Sequence, residues 1–187
     1  MVWIYVSTIY FTGSVYKPSA STAFDREFKR NTWYKFMGYK DICLEKIKND
    51  EFESLFFAVK QGLYSHVEAV FGWCEEFQRK RLSKDYKPHW FHWVYSENSR
   101  VGVLCYKPYD NALHVHLLII FPEFQNQKLG KEVMNTVHQL AYKQGRSHIT
   151  LSSFVRNESA IRFYQSLGYY TVESDEHFVS LKCNIVN

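Results

Sequence analysis

The 187-residue chain carries no C-x-x-C pair, no Cys/His pair at metal-ligand spacing, no long basic run and no internal repeat. Each absence excludes something. Cys43, Cys74, Cys105 and Cys183 stand far apart, which removes the zinc-ribbon and thioredoxin-like classes and leads us to expect reduced thiols, mostly in the core. No uncharged apolar run approaches the roughly 20 residues that a membrane-spanning helix requires, so no membrane partner is expected. Residues 2 to 16 are uncharged, but Ser7, Thr8, Thr12, Gly13 and Ser14 interrupt them and no Lys or Arg precedes them. They make a poor signal peptide, and a cytoplasmic protein is the expectation. Basic residues exceed acidic ones by only 23 to 19 and are scattered, which argues against nucleic acid as a partner while suiting a small anionic ligand. A Ser or Cys nucleophile has no local signature.

What is present is a globular composition: 46% hydrophobic and 18% aromatic residues, sufficient for one buried core at this length. Residues 1–36 differ in character, with Val2, Ile4, Val6, Ile9 and Phe11 alternating before a Ser, Lys, Pro and Ala turn. They read as an N-terminal extension, with Met37 as the expected start of a domain over residues 37–187. Residues 42–47 alternate as a first strand. From Asp50, taken as an N-cap, Phe52, Leu55, Phe56 and Val59 recur at helical spacing. Gly62 is expected to end that helix, and a second is expected from Ser65 through Val67, Val70 and Phe71 to Glu75 and Glu76. Residues 89–95 and 100–106 form a predicted hairpin, and 113–121 a long strand stopped at Pro122. A helical stripe through Val133, Met134, Val137, Leu140 and Ala141 follows. After it come a strand at 149–155, a short helix at 159–166 and a closing strand pair.

Two segments carry chemistry. The first is F-P-E-F-Q-N-Q-K-L-G at residues 121–130, a strand end and turn that open a helix. The first N–H groups of a helix lack intrahelical partners and the macrodipole adds positive charge, so an anion can sit there. Lys128 and Lys131 add charge. On its own the loop fits an ordinary strand-to-helix turn equally well. The second segment is N-E-S-A-I-R-F-Y-Q-S-L-G-Y at residues 157–169. With this pairing the chain resembles the GNAT superfamily of acetyltransferases, over about residues 40–183 in element order.

The resemblance implies an α/β fold, with a mixed, mostly antiparallel central sheet, helices on both faces, and central strands at 113–121 and 149–155 that splay apart. It implies acetyl-coenzyme A as acyl donor and no metal. By position, the backbone of Gln125, Asn126, Gln127, Lys128, Leu129, Gly130 and Lys131 would wrap the pyrophosphate. Main-chain groups of Leu118 and Ile120 would pair with pantetheine, and Asn157 would hold the cofactor arm. Tyr164 would protonate the departing thiolate. Lys128 stands where the family's loop has its first glycine, and Ser152 where some members have a glutamate base. The implied reaction is acetyl transfer to a primary amine of a small molecule or peptide by direct attack; a non-catalytic acyl-coenzyme A sensor on the same fold is the alternative. His114 and His116 share a strand face, and His116 ranks first as the base. Trp73, Glu75 and Glu76 would line the acceptor site. The spacing of His89, His92, His114 and His116 admits a metal site, but no Cys or carboxylate completes it. A homodimer stays open.

Overall fold

A computed structural model describes residues 41–185; the expected extension over 1–36 and the start at Met37 lie outside the described residues. The chain runs β1 (Ile42–Lys46), α1 (Phe52–Phe71), α2 (Glu75–Lys84), β2 (Phe91–Ser96), β3 (Ser99–Tyr109), β4 (Ala112–Ile120), α3 (Leu129–Lys143), β5 (His148–Phe154), α4 (Glu158–Ser166), β6 (Tyr170–Ser174) and β7 (Phe178–Asn184). These strands form one sheet in the order β1-β2-β3-β4-β5-β7-β6. Neighbours are antiparallel except β4 and β5. The mixed, mostly antiparallel sheet expected from the sequence is therefore the one observed.

Side chains alternate across the sheet, and two cores result. Val94 and Leu104 join α3 in an aliphatic core with Val133, Met134, Val137 and Ala141. Trp93, Val103 and Cys105 point the other way, onto Leu55, Phe56, Ala58 and Val59 of α1 and Leu82 of α2. Helices cover both faces.

Three sequence expectations are corrected. Gly62 does not end a helix: α1 continues through it, because its missing side chain lets the helix approach β4, where an added Cβ would lie 2.5 Å from Ile119 Cδ1. The break falls instead at Gly72, whose φ of 73° stops the helix. The second helix is the polar stretch Glu75–Lys84, not the segment from Ser65 to Glu76. Asp50 lies in a 3-10 turn, and the N-cap is Glu51. The thiols divide evenly: Cys105 and Cys183 are buried or half-buried, whereas Cys43 and Cys74, on an outer strand and in the α1–α2 link, are exposed.

Candidate functional site

β4 and β5 pair in parallel only from Ala112–Val115 against His148–Leu151, although both strands continue beyond. The point where they part coincides with a bulge. Against β3, Cys105 pairs with Leu117 and Tyr106 with Val115, so His116 is an extra residue in β4. The extra residue shifts the alternation. Leu113 and Val115 before it, and Leu118 and Ile120 after it, all meet the α3 core, while Leu117 packs in the α1 core.

Main-chain groups beyond the bulge face the gap. Phe121 N–H donates to Val101 of β3; ladder alternation then gives Ile119 and Leu117 to β3 and turns the N–H and C=O of Leu118 and Ile120 away from it. The Ile120 carbonyl accepts a hydrogen bond from Gln125 Nε2 at 2.9 Å, so a strand-like ligand would have to displace that side chain or use Leu118.

The loop after β4 leads into α3. Asn126 and Lys128 take φ of 60° and 63°, the left-handed conformation that costs a lysine about 1 kcal/mol. Lys128 thus holds the conformation that a glycine would adopt freely. Its carbonyl accepts from Lys131 and Glu132 N–H, which leaves the Leu129 and Gly130 amides at the helix entrance without intrahelical partners. Lys131 N–H is spent on the first turn. Gln127 Nε2 donates to the Glu123 carbonyl at 3.2 Å and pins the loop. The residues present fit a pyrophosphate: two amides at a helix N-terminus, with Lys128 and Lys131 beside them. Gly130 has a second reason to lack a side chain, since a Cβ would meet Phe163 Cζ of α4 at 3.2 Å.

Asn157 caps α4: its Oδ1 accepts from Ala160 N–H at 3.3 Å and Ser159 Oγ at 3.0 Å. Tyr164 lies about two turns on, buried at 8% exposure against Phe163 and Tyr169. Burial raises its phenol well above the ordinary range, which keeps the proton in place at neutral pH.

On the other face, His114 Nδ1 lies 2.8 Å from Thr150 Oγ1 and its ring meets His116 edge-on at 4.5 Å. His116 stacks on Trp90 at 5.7 Å and packs against Tyr86. Among the described residues its buried Nε2 has no hydrogen-bond partner. Burial lowers His116 to about 3, helped by His114, Lys107 and Arg81, and burial with Lys107 lowers His114 to about 4. Both are neutral at pH 7.

The structure does not gather the four histidines. His89 is exposed, and His92 is buried on the opposite face, stacked on Tyr106. Among the described residues no three His, Cys, Asp or Glu side chains converge as a metal site, and no helix is long and apolar enough to cross a membrane. Ser152 is exposed, its Oγ 3.2 Å from that of Ser180.

In the α1–α2 link, Trp73 packs on Tyr64 at 5.4 Å and Phe56 at 6.4 Å, and its buried Nε1 has no partner among the described residues. Glu75 is engaged by Lys60 at 2.5 Å and Arg79 at 3.5 Å, and the Lys60 hydrogen bond chiefly holds its carboxyl below the usual range. Glu76 is exposed.

Sequence reasoning did not assemble the groups around His116, namely Trp90, Tyr86, Lys107 and Thr150. One was within reach: counting outward from the Asp110–Asn111 turn pairs Tyr109 with Ala112 and Lys107 with His114, as observed.

Residues 44–169 match the family model described as Acetyltransferase (GNAT) family. Similar folds include the PaiA N-acetyltransferase of Thermoplasma acidophilum, in complex with coenzyme A. It has 16% identity and a TM-score of 0.62, covering 77% of this chain and 99% of that one. PH1933 of Pyrococcus horikoshii is 17% identical with a TM-score of 0.61, covering 79% and 100%. The ribosomal-protein-S18-alanine N-acetyltransferase of Escherichia coli is 13% identical with a TM-score of 0.58, covering 79% and 96%.

Proposed function

Since the chain belongs to the GNAT acetyltransferase family, we propose that it transfers acetyl from acetyl-coenzyme A to a primary amine of a small molecule or peptide. The observation that carries this reading is the parting of β4 and β5 beside a helix entrance whose first amides have no intrahelical partner.

In this reading the amides of Leu129 and Gly130, with Lys128 and Lys131, hold the pyrophosphate, supported by the loop from Gln125 through Asn126 and Gln127. The main chain of Leu118, and of Ile120 once Gln125 swings away, orders the pantetheine arm, and Asn157 fixes the helix beside it. Acetyl-coenzyme A supplies an activated thioester. The neutral amine attacks its carbonyl, the C–S bond breaks, and Tyr164 protonates the thiolate. A phenol raised by burial is protonated before the step, as a general acid must be.

His116 accepts a hydrogen bond from the amine through its unpartnered Nε2. With an affinity for protons as low as about 3, it orients a neutral amine and passes the proton to water rather than holding it. Trp73 supplies an aromatic wall, Glu76 draws an ammonium from solution, and Glu75 fixes the link between the two early helices through Lys60 and Arg79.

The depressed proton affinity of His116, with Ser152 at a position where a base is absent, also favours a second reading: a sensor that binds acyl-coenzyme A without turnover. Thiol release from acetyl-coenzyme A in the presence of polyamines, aminoglycosides, amino acids or peptide N-termini separates the two. Release that depends on one of these acceptors supports transfer. Tight coenzyme A binding with no release for any acceptor would replace transfer with sensing.

A further inference from the structure

The surroundings of His116 bear on which amine is used, an inference that rests on the acetyl-transfer reading. Lys107 stands opposite His114 across the β3–β4 ladder. Its ammonium lies 4.9 Å from the Trp90 ring centre and 4.2 Å from that of Tyr109. Trp90 in turn stacks on His116, and Tyr109 meets His114 edge-on at 6.2 Å. One cluster therefore joins a cation, two aromatic faces and two imidazoles, and its members are half-buried.

Among the described residues no acidic side chain answers this cation. Among the described residues Lys107 makes no ion pair, whereas Lys60, Arg79, Arg100 and Arg162 each do. Arg81, beyond Tyr86, donates to the Tyr86 hydroxyl at 3.2 Å and to Gln78, again to no carboxylate. The charges that shift His114 and His116 are accordingly all cationic, and Asp85 acts on Tyr86. A half-buried ammonium held on aromatic faces retains its attraction for an anion, and the neighbouring neutral rings neither repel nor replace one.

We propose that this cluster binds a carboxylate of the acceptor, so that the substrate is an amine that is also an acid, such as an amino acid, rather than a polyamine. Lys107 takes the carboxylate and Trp90 and Tyr109 flank the carbon skeleton. His114, which faces Lys107 across the ladder, meets His116 at 4.5 Å between ring centres, so amine and carboxylate are read at adjoining places. An aromatic-walled cationic pocket would discriminate against the decarboxylated counterpart, because that molecule leaves Lys107 unanswered and adds no compensating contact.

The test uses matched pairs on the full chain: lysine and cadaverine, tyrosine and tyramine, histidine and histamine. Binding is measured by calorimetry with coenzyme A present, and turnover by thiol release. The expected result is that the carboxylated member of at least one pair binds about tenfold more tightly, and that Lys107→Gln brings the ratio towards one. Lys107→Arg should restore much of it. Equal binding of both members of every pair, or a preference that survives Lys107→Gln, overturns the proposal. A Lys107-dependent preference without thiol release would keep the carboxylate site and remove the transfer reading on which its purpose rests.

Discussion

Beneath α3 and α4 the sheet meets an aliphatic core in which Val133, Val137, Ala141, Ile149 and Leu181 are wholly enclosed. Beneath α1 and α2 it meets Phe91, Trp93, Phe56 and a fringe of Trp73, Tyr86 and Trp90. The three buried side-chain polar atoms without partners among the described residues, on His66, Trp73 and His116, all belong to the second side. An unanswered buried donor or acceptor costs about 1–3 kcal/mol. The first side is thus packed for stability, and the second keeps polar atoms ready for something else. That division suits a protein holding a common cofactor on one flank and a particular acceptor on the other.

The comparison breaks most readily at Tyr164, which belongs to the enclosed side yet is assigned chemistry. Tyr164→Phe removes one hydroxyl from a packed ring; turnover should fall about 100-fold or more while coenzyme A affinity holds. Steady-state kinetics with matched calorimetry read this, and unchanged turnover at every pH would return Tyr164 to a purely structural role.

On the open side, Gly62→Ala should lower stability by about 1–3 kcal/mol, despite the better helix propensity of alanine, because its Cβ enters the space of Ile119. Urea melts of the variant, alone and combined with Ile119→Ala, check whether the clash is the cause.

Acid should act on the open side first. His116 and His114 fall to about 3 and about 4 from an ordinary 6.5, so between these values the unfolded chain binds more protons than the folded one. Their contribution is complete above 6.5 and is lost as pH falls through the folded values. Thermal melts should therefore decline from pH 6.5 towards pH 4, with a shallower slope in the His114→Asn, His116→Asn double variant.

The smallest change is expected at Lys128→Gly. Relief of the left-handed strain, about 1 kcal/mol, is largely offset by the entropy that glycine loses. Loss of one charge should weaken coenzyme A binding severalfold, and a Tm shift of many degrees in either direction would show that the loop conformation has been misjudged.

Legibility in the sequence follows the same division. The stripe through Val133, Met134 and Val137, and Asn157 with Gly168 around a short helix, are local patterns, so α3 and α4 could be placed from spacing alone, whereas the loop at 125–130 took its expected role only from the family resemblance. Gly62 was misread because a glycine that admits a neighbouring strand looks identical, in one dimension, to a glycine that ends a helix. Its neighbour Ile119 is 57 residues away. The environment of His116 depends on Trp90, Lys107 and Thr150, which converge only after three strands have paired. Of these, only the Lys107–His114 register could be counted from a nearby turn.

The extra residue in β4 makes the strand two scripts written end to end. Up to Val115 the odd positions belong to the α3 core, and from Leu118 the even ones do. Were His116 drawn into the regular pleat and the bulge flattened, the first script would stand and the second invert, presenting Leu118 and Ile120 to α1 and driving Ile119 into α3. The one residue that leaves the ladder at His116 thus lets an odd and an even run of side chains serve a single core.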